Sequence, residues 1–294
     1  MTDGPGLVSR PGIPDYVLIG HVTLDVVGDG FVIGGTVTYA GLTAHALGRT
    51  VGAVTSAGPG LALTEHLPGI EFRIKPAPAT TTFENVYHDG RRQQWIRAVA
   101  SALDGSLVPP AWRSAPIVHL APLAGEFGTE ILATFKDCQL LGLTPQGWLR
   151  VWNDEGFVRR SAWHHPEAAL AACDVVVLSE EDVEADWKIL HSYAKLTRLL
   201  VVTRGARGCV VFDRGKGWRV PAFPVAEVDA TGAGDVFAAA FFVGMARDGD
   251  PIGAAHYANC VASFAVEAPG TDGVPTPEKV AERLATSSPA VAVP

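Results

Sequence analysis

The chain has 294 residues, 48% of them hydrophobic, which is material for one large α/β domain or two small ones around a buried core. A formal net charge of -8, with the densest basic pairs only Arg91-Arg92 and Arg159-Arg160, excludes a nucleic-acid surface, because phosphate-backbone binding needs clustered Lys and Arg. Cys138, Cys173, Cys209 and Cys260 lie far apart and never form Cys-x-x-Cys, so neither a zinc site nor a disulfide framework is indicated, and reduced thiols in a cytoplasm are expected.

The first residues, MTDGPGLVSRPGIPD, lack the apolar run of a signal peptide and read as a loose Gly/Pro tail. Residues 16–20 (YVLIG) predict a buried strand that runs on to Asp25 before a turn at Gly28-Asp29-Gly30. Tyr39, Leu42, Ala46 and Leu47 are spaced for an amphipathic helix stopped by Gly48, and residues 51–56 form the next strand. Two β-rich runs around His88-Asp89-Gly90 predict a hairpin, expected to act as a small lid. From Ile117 onward short apolar runs alternate with helical stretches at 130–136, 166–172 and 180–190, which implies parallel strands with crossover helices. CVVFD at 209–213 and residues 217–222 read as an antiparallel pair, residues 251–267 as a late helix, and SSPAVAVP as a frayed tail. The most apolar helical run, 236–246, is far shorter than the roughly 20 residues a membrane span requires, so no membrane partner is expected.

Residues 228–246, VDATGAGDVFAAAFFVGMA, carry the clearest chemical signal. Glycines at 232 and 234 leave no side chain between backbone amides and a ligand, and the helix behind them adds unpaired N–H groups and a partial positive end. Asp235 at the start of that helix is placed to accept a proton from an incoming hydroxyl, and an anion cradle beside a base suits phosphoryl transfer. A plain cap on a core helix accounts for the same residues. A Walker loop is excluded because Asp235 and Val236 stand where Lys and Ser/Thr belong, and a dinucleotide fingerprint because Phe237 replaces its third small residue.

Residues 229–235 with the alanine-rich helix behind them resemble the C-terminal signature of the ribokinase-like (PfkB) family of carbohydrate kinases. The resemblance runs from Tyr16 to about Gly270. It implies an α/β fold with a doubly wound, mostly parallel sheet, helices on both faces and a small β lid, organised as a single domain 1–294 with lid segments about 22–33 and 71–101. Asp235 then corresponds to the catalytic base, and Gly232, Ala233 and Gly234 to the anion hole. Gly20 followed by Asp25 matches the acceptor-binding aspartate, whose carboxylate can take two polyol hydroxyls, and Gly34-Gly35 matches the diglycine beside it. Tyr39 stands where many members carry Asn, and Asn153 is a further acceptor contact. Thr203-Arg204-Gly205-Ala206-Arg207-Gly208 resembles the nucleotide loop, with Thr203, Gly205 and Gly208 as ATP contacts, joined by Asn259 at the purine pocket. Ser179 and Asp182 replace the Asn and Glu of the family's magnesium motif, and an N-cap serine with first-turn acids explains them equally well. Asp229 and Thr231 correspond to contacts for a monovalent cation such as K+. His164-His165 reads as surface.

The activity implied is ATP- and Mg2+-dependent phosphorylation of a small sugar or cyclitol, myo-inositol in preference to ribose because of Tyr39 and the short 25–34 segment. A nucleoside kinase and a non-catalytic nucleotide- or sugar-binding relative are the alternatives, with a nicotinamide dehydrogenase a third. A monomer and a homodimer are both compatible.

Overall fold

The fold is that of a computed structural model, which describes residues 10–88 and 91–286. In chain order, β1 (Tyr16–Ile19), β2 (Thr23–Val27) and β3 (Gly30–Gly34) precede α1 (Thr36–Ala46), β4 (Val51–Ala57), α2 (Leu63–His66) and β5 (Ile70–Pro76). Next come β6 (Thr81–His88), β7 (Arg91–Ala98), β8 (Ile117–Leu120), β9 (Leu140–Leu143), β10 (Arg150–Trp152), β11 (Val158–Arg160), α3 (Glu167–Ala172), β12 (Val175–Ser179) and α4 (Trp187–Ala194). The chain continues through β13 (Leu199–Thr203), β14 (Cys209–Asp213), β15 (Lys216–Val220), α5 (Ala233–Asp248), α6 (Pro251–Ala265) and α7 (Pro277–Thr286).

Nine strands form the large sheet in the order β15-β14-β13-β12-β9-β8-β1-β4-β5. From β13 to β5 all neighbours are parallel, and β14 and β15 add an antiparallel edge. Both faces are covered, so the strands read as continuous apolar runs rather than alternating ones. Tyr16 and Leu18 of β1 enter the core shared with α1, α5 and α6, while Val17 and Ile19 enter the opposite core with Leu170 of α3 and Leu190 of α4. Every residue of α5 from Val236 to Met245 is buried, which is why its sequence is apolar all round.

A second, four-stranded sheet has the order β3-β2-β6-β7. Its boundaries correct two expectations. The first strand does not run on to Asp25: a Cβ at Gly20 would overlap the Ala121 carbonyl, and the His21 amide donates to Glu126 Oε1 at 2.8 Å, so the chain bends there and β2 starts a new sheet. Residues 71–76 are not lid, because they pair in parallel with residues 52–57 of β4 and complete the large sheet, where their backbone groups find partners. The small sheet therefore takes residues 81–88 and 91–98 from the second lid segment, and the expected turn at Asp89-Gly90 lies outside the described residues, as do the two tails.

Two helical stretches also differ. Residues 129–134 form a 3-10 turn, and the 180–190 stretch breaks in two. Glu184 and Ala185 take left-handed φ values of 52 and 57, Ala185 N–H closes onto Glu180 O at 2.7 Å, and Asp186 caps a fresh helix through Lys188 and Ile189. Among the described residues, no helix is long and apolar enough to cross a membrane.

Candidate active site

Two helix N-termini meet at the carboxyl end of the sheet. Gly232 precedes α5 with φ 75, and a Cβ there would overlap the Tyr39 ring on α1, so glycine is required both for the left-handed turn and for the close approach. Gly35 precedes α1 with φ 84, and Thr36, the first residue of that helix, donates its hydroxyl to Asp235 Oδ1 at 2.8 Å. This bond joins residues 199 positions apart and fixes the carboxylate beside the amides of 232–234. Withdrawal from water pushes the Asp235 carboxyl up to about 6, with Asp182 adding to the rise and the Thr36 bond and Arg150 opposing it. At neutral pH the group is ionised yet close enough to its midpoint to take up a proton, the state a general base needs.

Asp25 lies on β2 with its carboxylate directly above Gly34, where any Cβ would overlap Oδ2. The diglycine thus has two separate causes, room for Asp25 at 34 and a positive φ at 35. Tyr39 is only 4% exposed and packs under the anion turn, so it acts on the site by supporting Gly232 rather than by presenting its ring to an acceptor. Burial, then Asp25, Asp229 and Asp235, hold its hydroxyl up at about 12. Asn153 is exposed at the tip of the β10–β11 hairpin, where its side chain accepts from Phe157 N–H at 2.8 Å and shapes the turn.

Thr203 ends β13, and residues 204–208 form a tight turn in which Arg204 N–H donates to Gly208 O at 2.8 Å. A Cβ at Gly208 would overlap the Val220 carbonyl, so this glycine packs the loop against the 220–222 segment, whereas Gly205 faces open space. The sequence reading missed Glu180, a buried carboxylate held by Arg204 and Arg207 of this same loop. The run of acids Glu180-Glu181-Asp182 after β12 gives a hint, but only tertiary structure shows which acid turns inward. Ser179 and Asp182 form a capping box: Ser179 N–H donates to Asp182 Oδ2 at 2.9 Å and Glu181 N–H to Ser179 Oγ at 3.2 Å. Burial raises the Asp182 carboxyl. With Oδ2 engaged, Asp182 would hold Mg2+ through its other oxygen, with water and donor phosphates completing the shell. Among the described residues, no group of three or more His, Cys, Asp or Glu side chains is placed to hold a metal ion.

Asp229 accepts from Thr231 N–H at 2.9 Å and from Gly270 N–H at 3.0 Å, tying the anion loop to the 270 loop. Asn259 is buried, and its amide donates to the Val220 and Pro221 carbonyls at 3.2 and 3.0 Å. Asn259→Ala is therefore expected to lower stability by about 1–3 kcal/mol, the cost of leaving buried carbonyls unpaired. Donor KM should stay unchanged, and thermal melting beside donor titration separates the two effects.

A large mostly parallel sheet, a smaller four-stranded sheet beside it and a glycine turn leading into α5 define the ribokinase class of fold. Residues 158–279, the part that contains the 232–235 turn, match the model of the pfkB family of carbohydrate kinases. The chain is 28% identical to the cytidine kinase of Thermococcus kodakarensis over 256 residues, 79% of this chain and 89% of that protein. It is 34% identical to a probable fructokinase-5 of Arabidopsis thaliana over 123 residues, 40% of this chain and 38% of that protein, so it spans about two fifths of that relative. A solved pyrophosphate-dependent kinase of the ribokinase family, complexed with a pyrophosphate analog and myo-inositol, superposes with a TM-score of 0.77 at 25% identity, covering 91% of this chain and 99% of that one.

Proposed function

We propose that the protein transfers a terminal phosphoryl group from ATP to a hydroxyl of a small sugar or cyclitol, with myo-inositol preferred over ribose. The observation that carries this reading is the Thr36–Asp235 bond, which sets a carboxylate with a raised pKa at the mouth of two helix N-termini. In the reaction Asp25 binds and orients acceptor hydroxyls, and Asp235 accepts the proton of the attacking one. The amides of Gly232, Ala233 and Gly234 face the charge that gathers on the transferred group. Magnesium, held at Asp182, would neutralise the donor phosphates. The chain acts as one catalytic unit in which the β2-β3-β6-β7 sheet forms the lid, and closure excludes the water that would compete as acceptor. Four unpaired cysteines fit a reducing, cytoplasmic setting.

A second reading, pyrophosphate as donor, is favoured by the inward-facing Asn259, which leaves the adenine side with one polar contact fewer, and by the likeness to a pyrophosphate-dependent enzyme. A nucleoside acceptor is favoured by the likeness to a cytidine kinase over most of its length. The test is a panel of myo-inositol, ribose, fructose and cytidine with Mg-ATP or Mg-pyrophosphate, reading ADP or orthophosphate. We expect ADP release that depends on myo-inositol, with kcat/KM for ribose at least about tenfold lower. Orthophosphate from pyrophosphate with no ADP would establish the second reading. Donor binding without turnover of any acceptor would mark a binding protein and sink the kinase assignment.

A further inference from the structure

The pair Arg159-Arg160 is divided by the β10–β11 hairpin. Arg159 lies opposite Val151 and stacks on the Phe157 ring at 5.4 Å, whereas Arg160 lies directly opposite Arg150. Directly opposed residues in an antiparallel pair project to the same face, so Arg150 and Arg160 stand side by side. Arg150 begins β10 immediately after the 3-10 turn Gln146–Leu149, and that turn packs on the Glu180–Val183 turn that carries Asp182. The placement is consistent with the electrostatics: Arg150 lowers the carboxyls of both Asp182 and Asp235, and Arg160 lowers that of Asp182. Among the described residues, no carboxylate forms a direct salt bridge with Arg160. The two guanidinium groups thus stand side by side next to the turn that carries Asp182.

We propose that Arg150 and Arg160 form a clamp for the terminal phosphates of the donor, a di- or triphosphate, on the side of the cleft opposite the 232–234 amides. The proposal rests on the kinase reading above. A magnesium diphosphate carries both signs of charge, and these groups offer both, guanidinium forks to the phosphate oxygens and Asp182 to the metal. Recognition centred on phosphate makes few demands on the rest of the donor. The hairpin is also tied to the lid, since Ile96 N–H on β7 donates to Gly156 O at 2.8 Å and the Trp95 and Phe157 rings lie 5.2 Å apart.

Calorimetric titration of the full chain with Mg-ATP and with Mg-pyrophosphate tests the clamp, using Arg150→Gln, Arg160→Gln and Arg150→Lys, each with its melting temperature measured. Loss of a charged hydrogen-bonding partner is expected to raise the donor Kd by about tenfold or more for each Gln variant. Arg150→Lys should recover part of that loss, since it keeps the charge and loses the fork. Arg160 is exposed, so its variant should melt like the parent and report binding alone. Donor Kd unchanged in Arg160→Gln and within twofold of the parent in Arg150→Lys and Arg150→Gln overturns the clamp while leaving the kinase reading intact. A parent protein that binds neither donor overturns both.

Discussion

Asp235→Asn is expected to lower kcat by about 10²–10⁴-fold, the range a positioned general base contributes, with donor Kd little changed. The variant keeps an acceptor for the Thr36 hydroxyl, so the junction of α1 and α5 persists while the proton acceptor is gone. On the proposed mechanism Asp235 must be ionised, and with burial pushing its carboxyl up to about 6, log kcat should fall with unit slope below that pH and level off above it. Stability moves the other way. A carboxyl raised in the folded state binds its proton more tightly there than in the unfolded chain. The folded protein therefore holds more protons between the ordinary carboxylate range and about pH 6, and stability declines as pH rises through that window. Above it the folded state carries a partly desolvated charge that Asn lacks. Asp235→Asn should melt higher than the parent at pH 8, and the difference should vanish toward pH 4. A variant that is inactive yet less stable at pH 8 would show that the carboxylate serves the fold rather than the reaction.

The parallel sheet and the anion turn were legible because both are local. Runs such as VVVLS and LLVVT declare buried strands by composition, and Gly232 to Asp235 declare a turn and a helix start by spacing. Asn259, Asn153 and Asp182 were harder to read, since each is a polar residue whose partner is set by tertiary contact. The Val220 and Pro221 carbonyls that take the Asn259 amide lie nearly 40 positions away in sequence. Asp182 was ambiguous because the residue types that cap a turn are those that ligate magnesium. Residues 71–76 were drawn into the lid by their β-rich neighbours. Their alternation of Ile70, Phe72 and Ile74 fits a half-covered edge strand of either sheet, and only the pairing with β4 decides. Glu180 escaped notice because nothing local separates it from Glu181, although only Glu180 is turned onto Arg204 and Arg207 of the 204–208 loop.

Gly232→Ala carries the second large effect, and it separates two roles that neighbouring glycines play. A φ of 75 costs an alanine about 1–2 kcal/mol, and the new methyl also overlaps the Tyr39 ring. That ring is buried between α1 and the turn and has nowhere to retreat, so the turn must move and carry its amides out of line with Asp235. Misplacing an anion-hole donor costs about 10²–10³ in kcat, and we expect a loss of that size together with a lower melting temperature. Adding Tyr39→Ala removes the overlap but not the backbone strain, so melting should recover only in part and activity should stay low. Gly234 differs: it has no positive φ, and a Cβ there meets nothing. Gly234→Ala should therefore melt like the parent while raising KM, because its methyl projects into the open mouth where the ligand must lie. Full activity in Gly232→Ala would exclude the 232–234 amides from transition-state stabilisation. Normal KM in Gly234→Ala would place the transferred phosphate elsewhere in the cleft, nearer the Arg150 side.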